Sequence, residues 1–346
     1  MLLSALSQLN YRNLLTPRLE LSPGVTAIIG GNAAGKSNLL EAAYLATTGE
    51  LPGGRIAPVV RLGQSEGFVS ARLSHQGGVS TIEVGLTPGK KLLRLDGQPV
   101  RALELARVSA AVLLTPEDTA LVHGAPSQRR HYLDSLLSRL SLRYAYLHRD
   151  YLRVLEQRNA LLKQPYAEAS LGVWSEKFVE LGEEINQLRW RAARRLAELA
   201  GASYAEVASD GKQLGVVLSH DGQPLAAALA ASREEERARG ITVVGPHRDD
   251  LILTLDGHLL QSYGSRGEAR TTALALRVAE YRLLGSKHGE APLLLIDDFT
   301  AELDHYRRDY LLALAAATPQ ALVAGTEPPP HAAQRLTITG GVINAC

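Results

Sequence analysis

An apolar strand pattern near the start of the chain runs directly into a glycine-rich loop and then into a helical pattern. The loop reads GGNAAGKS, Gly30 to Ser37, and it fits G-x-x-x-x-G-K-[ST] in the strand-loop-helix context that this pattern requires. Glycines let such a loop wrap a phosphate, and amides at the helix N-terminus donate to its oxygens. We expect Lys36 to neutralise the β- and γ-phosphates and the Ser37 hydroxyl to ligate Mg²⁺. The predicted ATP-binding residues are Gly30, Gly31, Asn32, Ala33, Ala34, Gly35, Lys36, Ser37 and Asn38.

Two adjacent carboxylates follow an apolar strand pattern far downstream, in LLLIDD, Leu293 to Asp298. Taken alone, a strand that ends in Asp-Asp is often only a turn or a helix cap. Downstream of a phosphate-binding loop, we interpret the pair as the second half of a site for ATP hydrolysis. Asp297 would enter the Mg²⁺ shell with Ser37, and Asp298 would polarise the attacking water. The predicted catalytic residues are therefore Asp298, Lys36 and Asp297.

Between these two motifs lies GSRGEART, Gly264 to Thr271, followed by a helical pattern. A Ser and a Gly at a helix N-terminus form a ready anion site, and the segment resembles the signature motif of ABC-type ATPases. After the carboxylate pair, FTAELD resembles their D-loop. Four motifs in the correct order are more specific than any one of them.

The resemblance to ABC-type ATPases implies that the signature of one subunit completes the phosphate-binding site of another. Ser265 and Gly267 would then act across the interface of an ATP-dependent homodimer, and Asp304 would lie near the nucleotide. Thr326 follows a further strand, ALVAGTE, where many ABC proteins carry a histidine that senses the γ-phosphate. This departure weakens the assignment of that role to Thr326.

The elements that would position these residues form a split lobe around an insert. Short alternating segments from residue 56 to about 100 predict antiparallel strands, and Leu-, Arg- and Ala-rich helical patterns run from about 119 to 235. We predict an α/β fold: an ABC-type P-loop ATPase head with a β layer, plus an inserted, mainly helical lobe. The head would comprise residues 1–109 and 236–346, and the helical lobe residues 110–235.

Composition limits the remaining possibilities. The 346 residues carry a formal charge of +1, so any surface for nucleic acid must be local. The single cysteine, Cys346, excludes a disulfide framework within one chain and suits a reducing cytoplasm. We expect neither a secretory leader nor a membrane span, because no stretch has the required length and apolar composition.

Several segments beyond the nucleotide motifs resemble the RecF family of bacterial recombination proteins, in the family's order. They are NYRN, GNAAGKSNLLEA, LLTPED, HGAPSQRRHYLD, LEQRNALL, GPHRDDL, GSRGEART and LLLIDDFTAELD. The wide separation of Lys36 from Ser265 agrees, because it requires an inserted lobe. The insert is too poor in heptads for the long coiled-coil arm of SMC proteins.

The resemblance implies roles for residues that carry no clear chemistry of their own. Arg12 and Asn13 would lie near the nucleotide. Glu117 and Asp118 are either sensors of the γ-phosphate or Mg²⁺, or the acidic first turn of a helix. His247, Arg248 and Asp249 either face the nucleotide or dimer interface, or form a polar turn.

The resemblance also implies a DNA clamp, which would hold duplex DNA near single-strand to duplex junctions. Its partners would be RecR, with RecO, and RecA downstream. Arginines of the helical lobe are candidates to contact phosphates, and the alternative is a solvated helix face. The predicted DNA-binding residues are Arg129, Arg130, Arg143 and Arg153.

Two other classes of function stay open at this point. A transporter ATPase subunit would need a surface for membrane domains, and the helical insert opposes it. A clamp that binds ATP without hydrolysing it would not need the Asp297–Asp298 pair. A GTPase is disfavoured, since no N-K-x-D motif occurs.

Overall fold

Parallel strands form the central sheet of the molecule. The computed structural model describes residues 1–52, 59–164, 168–208, 210–220, 222–298 and 304–345. The sheet has the order β15-β14-β3-β13-β12-β8, and all neighbours are parallel except β15 and β14. Its strands are β3 (Gly24–Ile29), β8 (Ala111–Leu114), β12 (Leu293–Asp297), β13 (Gln320–Gly325), β14 (Gln334–Thr339) and β15 (Val342–Ala345).

A second sheet forms the predicted β layer, with the order β2-β1-β4-β5-β6-β7 and antiparallel pairing throughout. Its strands are β1 (Leu2–Leu9), β2 (Arg18–Glu20), β4 (Gly67–His75), β5 (Gly78–Thr87), β6 (Lys90–Leu95) and β7 (Gln98–Val100). Helix α1 (Lys36–Thr48) is buried along most of its length, and its apolar side chains share one core with both sheets.

The strand β12 shows how the central sheet joins two cores. Leu293 and Leu295 belong to the core shared with α1 and the β layer, whereas Leu294 and Ile296 belong to the core under the helices. Successive side chains of a strand point to opposite faces, so a continuous apolar run is buried on both sides. This explains why LLLID can carry its terminal carboxylate into the interior.

Helices cover the other face of the central sheet and form the helical lobe. The long ones are α4 (Pro126–Leu140), α5 (Leu142–Leu162), α6 (Glu168–Ala208) and α10 (Arg266–His288). The shorter ones are α3 (Ala120–His123), α7 (Leu225–Ala231), α8 (Arg233–Arg239), α9 (Leu260–Tyr263) and α11 (His305–Ala317). Helix α2 (Ala102–Leu105) instead buries Leu105 in the core of α1 and the β layer. Within the described ranges, no helix has both the length and the apolar composition needed to cross a membrane.

The boundaries of the helical lobe differ from the prediction. Strand β8 pairs in parallel with β12, from Ala111 opposite Leu293 to Leu114 opposite Ile296, so the insert begins after Leu114 and not at residue 110. A third sheet joins β9 (Leu214–Leu218) to β10 (Leu251–Leu255) and β11 (His258–Leu259). The lobe therefore also extends past the predicted return at residue 236. Both errors arose because the predicted boundaries were placed where the helical residue patterns begin and end. The residues of a short buried strand do not indicate which other strand it pairs with.

Candidate nucleotide site

The phosphate-binding loop is closed around the ammonium group of Lys36. This side chain is buried, and its Nζ donates to the carbonyl oxygens of Gly30 at 3.0 Å and Gly31 at 3.2 Å. The same nitrogen lies 3.5 Å from Oδ2 of Asp298. The ammonium group of Lys36 thus links the loop after β3 to the Asp298 carboxylate, which follows β12.

Two of the loop's glycines have no room for a side chain. Gly35 has φ +117°, and a Cβ there would lie 2.9 Å from Oδ1 of Asn13. A Cβ on Gly30 would lie 2.5 Å from the carbonyl oxygen of Ile338. Gly35 is also the N-cap of α1, and a glycine offers no side chain to cap the first-turn N–H groups. These amides can therefore donate to a phosphate.

Asp297 occupies the end of β12 in a setting that disfavours its charge. Its side chain is buried, its Oδ1 finds no hydrogen-bond partner among the described residues, and the Ser37 hydroxyl donates to its carboxyl group. Burial raises the pKa of Asp297 to about 6, and the carboxylates of Asp298 and Glu117 add to the rise. A bound cation would offset this unfavourable charge.

The donor set at Asp297 fits Mg²⁺. The hydroxyl of Ser37 and an unsatisfied carboxylate oxygen of Asp297 are hard oxygen ligands, and Mg²⁺ commonly takes only one or two protein ligands beside phosphate and water. The described residues contain no group of three or more His, Cys, Asp or Glu side chains that could hold a metal by themselves.

Asp298 has an unusual backbone conformation. Its φ is +35°, a region that residues other than glycine rarely adopt, and its Oδ1 is buried with no hydrogen-bond partner in the described part of the chain. Strained positions of this kind occur often at functional sites. The turn holds this carboxylate beside Lys36, at the mouth of the loop.

Asn13 supports the loop directly. Its Nδ2 donates to the carbonyl oxygens of Ala33 at 3.4 Å and Ala34 at 3.3 Å, and its Oδ1 accepts from Nδ2 of Asn38 at 2.8 Å. Asn13 therefore contacts the loop that is predicted to bind ATP, and its place near the nucleotide stays a prediction. Its contacts are to the loop and to α1, which makes it a residue that positions the loop.

Arg12 forms an ion pair with Glu41 of α1, at 2.7 Å from Nη2 to Oε2. Burial raises the pKa of Glu41, Arg12 opposes the rise, and the carboxylates of Asp297 and Glu117 add to it. Glu41 is thus an electrostatic neighbour of the Asp297 carboxylate. Sequence reasoning missed Glu41, because a glutamate inside a helix gives no signal of its own.

The signature segment lies at the N-terminus of α10 and is accessible. Ser265 is the N-cap, is exposed, and accepts from the amide of Glu268 at 3.2 Å, while its own amide donates to Oε2 of Glu268 at 2.7 Å. A Cβ on Gly267 would meet no atom within 4 Å. Lys212 donates to Glu268 at 2.6 Å and is the main cause that lowers its pKa to about 2. The serine is therefore held at an exposed helix tip.

Two other predicted nucleotide contacts lie at the ends of elements. Most of the FTAELD segment, 299–303, lies outside the described residues. Asp304 is the exposed N-cap of α11 and accepts from the amide of Arg307 at 3.0 Å. Thr326 is exposed directly after β13. The structure places both at the surface, and Thr326 follows Gly325, which pairs with Ile29 directly before the loop.

The PED segment was predicted either to sense the γ-phosphate or Mg²⁺ or to form the acidic first turn of a helix, and its two carboxylates differ in this respect. Asp118 is buried, accepts from the amide of Thr115 at 2.8 Å and pairs with Arg277 of α10 at 2.6 Å. It therefore has the structural role of a helix start. Glu117 is exposed and acts on the pKa of Asp297, so it stays a candidate sensor.

The GPHRDDL segment packs inside the helical lobe. Nδ1 of His247 accepts from the Tyr151 hydroxyl at 2.7 Å, and its Nε2 donates to the carbonyl oxygen of Thr242 at 3.2 Å. Arg248 donates to the same carbonyl at 2.9 Å. These contacts support the polar turn over contact with the nucleotide.

The predicted DNA-binding arginines have different surroundings. Arg129 is buried and forms a bidentate pair with Asp250, at 2.8 Å and 2.7 Å, so the prediction that it contacts DNA is wrong. A buried guanidinium that already donates two hydrogen bonds to a carboxylate is not available to bind a phosphate. Arg130 is half-buried and donates to the carbonyl oxygen of Asp249. Arg143 and Arg153 are largely exposed, at 77% and 70%.

Comparison with known proteins places this geometry in a family. Residues 2–326 match the family described as RecF/RecN/SMC N-terminal domain. The chain is 51% identical over 341 residues to the DNA replication and repair protein RecF of Deinococcus radiodurans, with 98% of this chain and 94% of that protein covered. It is 50% identical to the protein of the same name from Deinococcus deserti, with 99% and 94% covered.

The chain belongs to the RecF family. A solved structure of the recombination mediator protein RecF-ATP in the RecFOR pathway superposes with a TM-score of 0.93 at 28% identity, over 99% of this chain and 97% of that one. An Smc head bound to the C-winged helix domain of ScpA gives a TM-score of 0.60 at 16% identity, which shows a shared fold. The predictions of a RecF-family, ABC-type α/β head with a helical lobe, and of an ATPase, are confirmed.

Proposed function

We propose that this chain is an ATP-dependent DNA-binding protein of recombinational repair. Two copies would sandwich ATP, close on duplex DNA near single-strand gaps, and open after slow ATP hydrolysis. The observation that carries the proposal is the exposed tip of α10, where Ser265 and the unobstructed Gly267 can reach a nucleotide outside their own chain.

The loop residues account for binding of the triphosphate. Lys36 donates to two loop carbonyls, and these bonds can be exchanged for bonds to β- and γ-phosphate oxygens without moving the helix. Ser37 and Asp297 would hold Mg²⁺. The ion would neutralise charge on the phosphates during hydrolysis.

Asp298 is the candidate general base for the attacking water. Its carboxylate is partly exposed at the mouth of the loop and lies near Lys36, where a γ-phosphate would end. An aspartate is shorter than the glutamate common at this position in ABC proteins. Slow hydrolysis would suit a timing switch, since loss of the γ-phosphate removes a contact between subunits.

Each half of the proposed composite site is incomplete alone. Gly31 and Asn32 of the loop are exposed, and Ser265 has its hydrogen bonds within the first turn of its own helix. A second copy would supply a helix N-terminus to the γ-phosphate. Symmetric pairing would complete two such sites at once.

The DNA contacts would be made by the exposed arginines of the helical lobe. Arg143 and Arg153 lie on α5, ten residues and therefore about 15 Å apart along the helix. Their carboxylate partners, Glu184 and Asp150, are themselves accessible, so the pairs can open toward a phosphate. Arg130 is a third candidate. Binding through the backbone would be independent of sequence and sensitive to salt.

The partners follow from the family. A related protein of 28% identity is described as the recombination mediator RecF in the RecFOR pathway. We extend this role to the present chain: it would act with RecR and RecO to help load RecA beside a gap.

Light scattering with ATP, with ADP and without nucleotide tests the proposal. We expect a dimer mass only with ATP, and a monomer mass under all conditions for Lys36→Met, because this variant lacks the charge that holds the phosphates. Arg335→Glu is a control variant at an exposed position on β14. A wild-type mass that does not respond to ATP would refute the clamp.

A further inference from the structure

An exposed apolar row crosses the outer face of the β layer. Leu9, Phe68, Gly85 and Leu92 are successive cross-strand neighbours on β1, β4, β5 and β6. Leu9 is 60% exposed and Leu92 is 74% exposed. Alternate residues such as Val84 are fully buried, so this row points away from the core.

Gly85 leaves a notch in this row. A Cβ on Gly85 would meet only Leu92, with its Cβ at 3.8 Å and its carbonyl oxygen at 3.9 Å, which is ordinary contact distance. Gly85 does not have a positive φ, so the backbone does not require glycine there. The missing side chain leaves the exposed face open beside Leu92, between the cross-strand neighbours Phe68 and Leu92.

A basic cavity of about 450 Å³ lies further along the same face. Two arginines line it with three hydroxyl-bearing side chains. These residues are Arg18, Arg72, Ser7, Ser70 and Thr81, and the apolar side chains of Ala5 and Val79 complete the lining. Guanidinium and hydroxyl groups converging on one cavity form a good receptor for carboxylates.

The arginines of the cavity can accept a new partner. Arg72 is exposed and has no acidic partner among the described residues. Arg18 pairs with Glu20 at 2.7 Å, and both side chains are mostly exposed. Exposed ion pairs of this kind contribute little and exchange readily.

The distance between the notch and the cavity sets the length of peptide that could reach both. Phe68 and Arg72 are four residues apart on β4 and lie on the same face. At about 3.4 Å per residue, the notch and the cavity are about 14 Å apart. An extended peptide covers this distance in about four residues.

We infer that this face binds an extended segment of a partner protein that carries carboxylates and, about four residues away, a bulky apolar side chain. The carboxylates would enter the cavity of Arg18 and Arg72, and the apolar side chain would enter the notch at Gly85. Apolar side chains on an exposed sheet face indicate a protein ligand, because they offer nothing to a phosphate backbone.

Selection from a random-peptide display library on the immobilised full-length chain tests the inference, followed by fluorescence anisotropy of the selected peptides. We expect enriched peptides that combine acidic residues with Leu, Phe or Trp. Gly85→Leu fills the notch and should weaken their binding about tenfold, and Arg72→Glu should do the same. Arg335→Glu, an exposed arginine of the other sheet, should leave it unchanged.

A second variant guards against misfolding. Leu92→Glu changes a side chain that is mostly in solvent, so it should keep the thermal unfolding of the wild type and still lose the peptides. The inference fails if no such peptides are enriched, or if they bind all variants equally. It also fails if Gly85→Leu and Arg72→Glu weaken binding of a duplex DNA probe and not of the peptides, since the face would then be a nucleic-acid surface.

Discussion

Acidification should destabilise the helical lobe through His247. This imidazole accepts from Tyr151, donates to the carbonyl oxygen of Thr242 and is half-buried. Burial lowers the pKa of His247 to about 4; the bond to Thr242 opposes the shift, and nearby arginines add to it. Those arginines are Arg248, Arg130 and Arg189.

The magnitude follows from the linkage between proton binding and folding. In the unfolded chain His247 is protonated near its ordinary pKa of 6.5, and in the folded chain only near a pKa of about 4. The free energy of unfolding that depends on the neutral imidazole is therefore fully present above about pH 6.5 and is lost as the pH falls. The full shift corresponds to about 3 kcal/mol, of which about 1.4 kcal/mol is lost between about pH 8 and about pH 5.5.

Urea unfolding across this pH range measures the effect. In His247→Gln, which keeps a donor and an acceptor but does not titrate, we expect the pH-dependent loss to shrink by about 1.4 kcal/mol. The control His258→Gln changes an exposed histidine and should behave as the wild type. If His247→Gln loses as much stability on acidification as the wild type, the reasoning about this buried imidazole is wrong.

Three further predictions concern the nucleotide site and the DNA surface. Asp298→Asn should keep ATP binding and slow hydrolysis by about 10² or more in a phosphate-release assay, since it removes the general base; an unchanged rate would refute that role. Asp297→Asn should stabilise the nucleotide-free protein by about 1 to 2 kcal/mol in urea, because the folded site holds the pKa of this carboxyl at about 6 and disfavours its charge at neutral pH. A less stable variant would contradict this. Combining Arg143→Glu with Arg153→Glu should weaken duplex binding and reduce the salt slope by about two, whereas Arg239→Glu, also an exposed arginine paired with a glutamate, should not.

The nucleotide site was predictable because its chemistry is local in sequence. The loop needs Gly35 where φ is positive and Lys36 at its centre, and β12 needs an apolar run to carry Asp297 inward. Each requirement leaves its own residue pattern. The same holds for Ser265, whose capping box with Glu268 is a local helix-start signal.

What the sequence could not supply depended on partners distant in the chain. Arg129 has the same surface-helix pattern as Arg143, and only the fold brings Asp250 to it. Asp118 likewise meets Arg277 across 159 positions. A residue pattern indicates that a charge exists, but burial and pairing decide whether that charge is free to bind.

The central claim is that two chains build one ATP site, and mixing two inactive variants tests it most directly. Lys36→Met damages the loop and Ser265→Arg blocks the signature tip, so each should lack ATP hydrolysis alone. In a mixed dimer, the intact loop of one chain meets the intact tip of the other. We expect an equal mixture to regain ATP hydrolysis, up to about half of the wild-type rate, because neither variant should pair with itself and each mixed dimer holds one working site of two. A mixture as inactive as its components, or full activity of Ser265→Arg alone, would contradict the account.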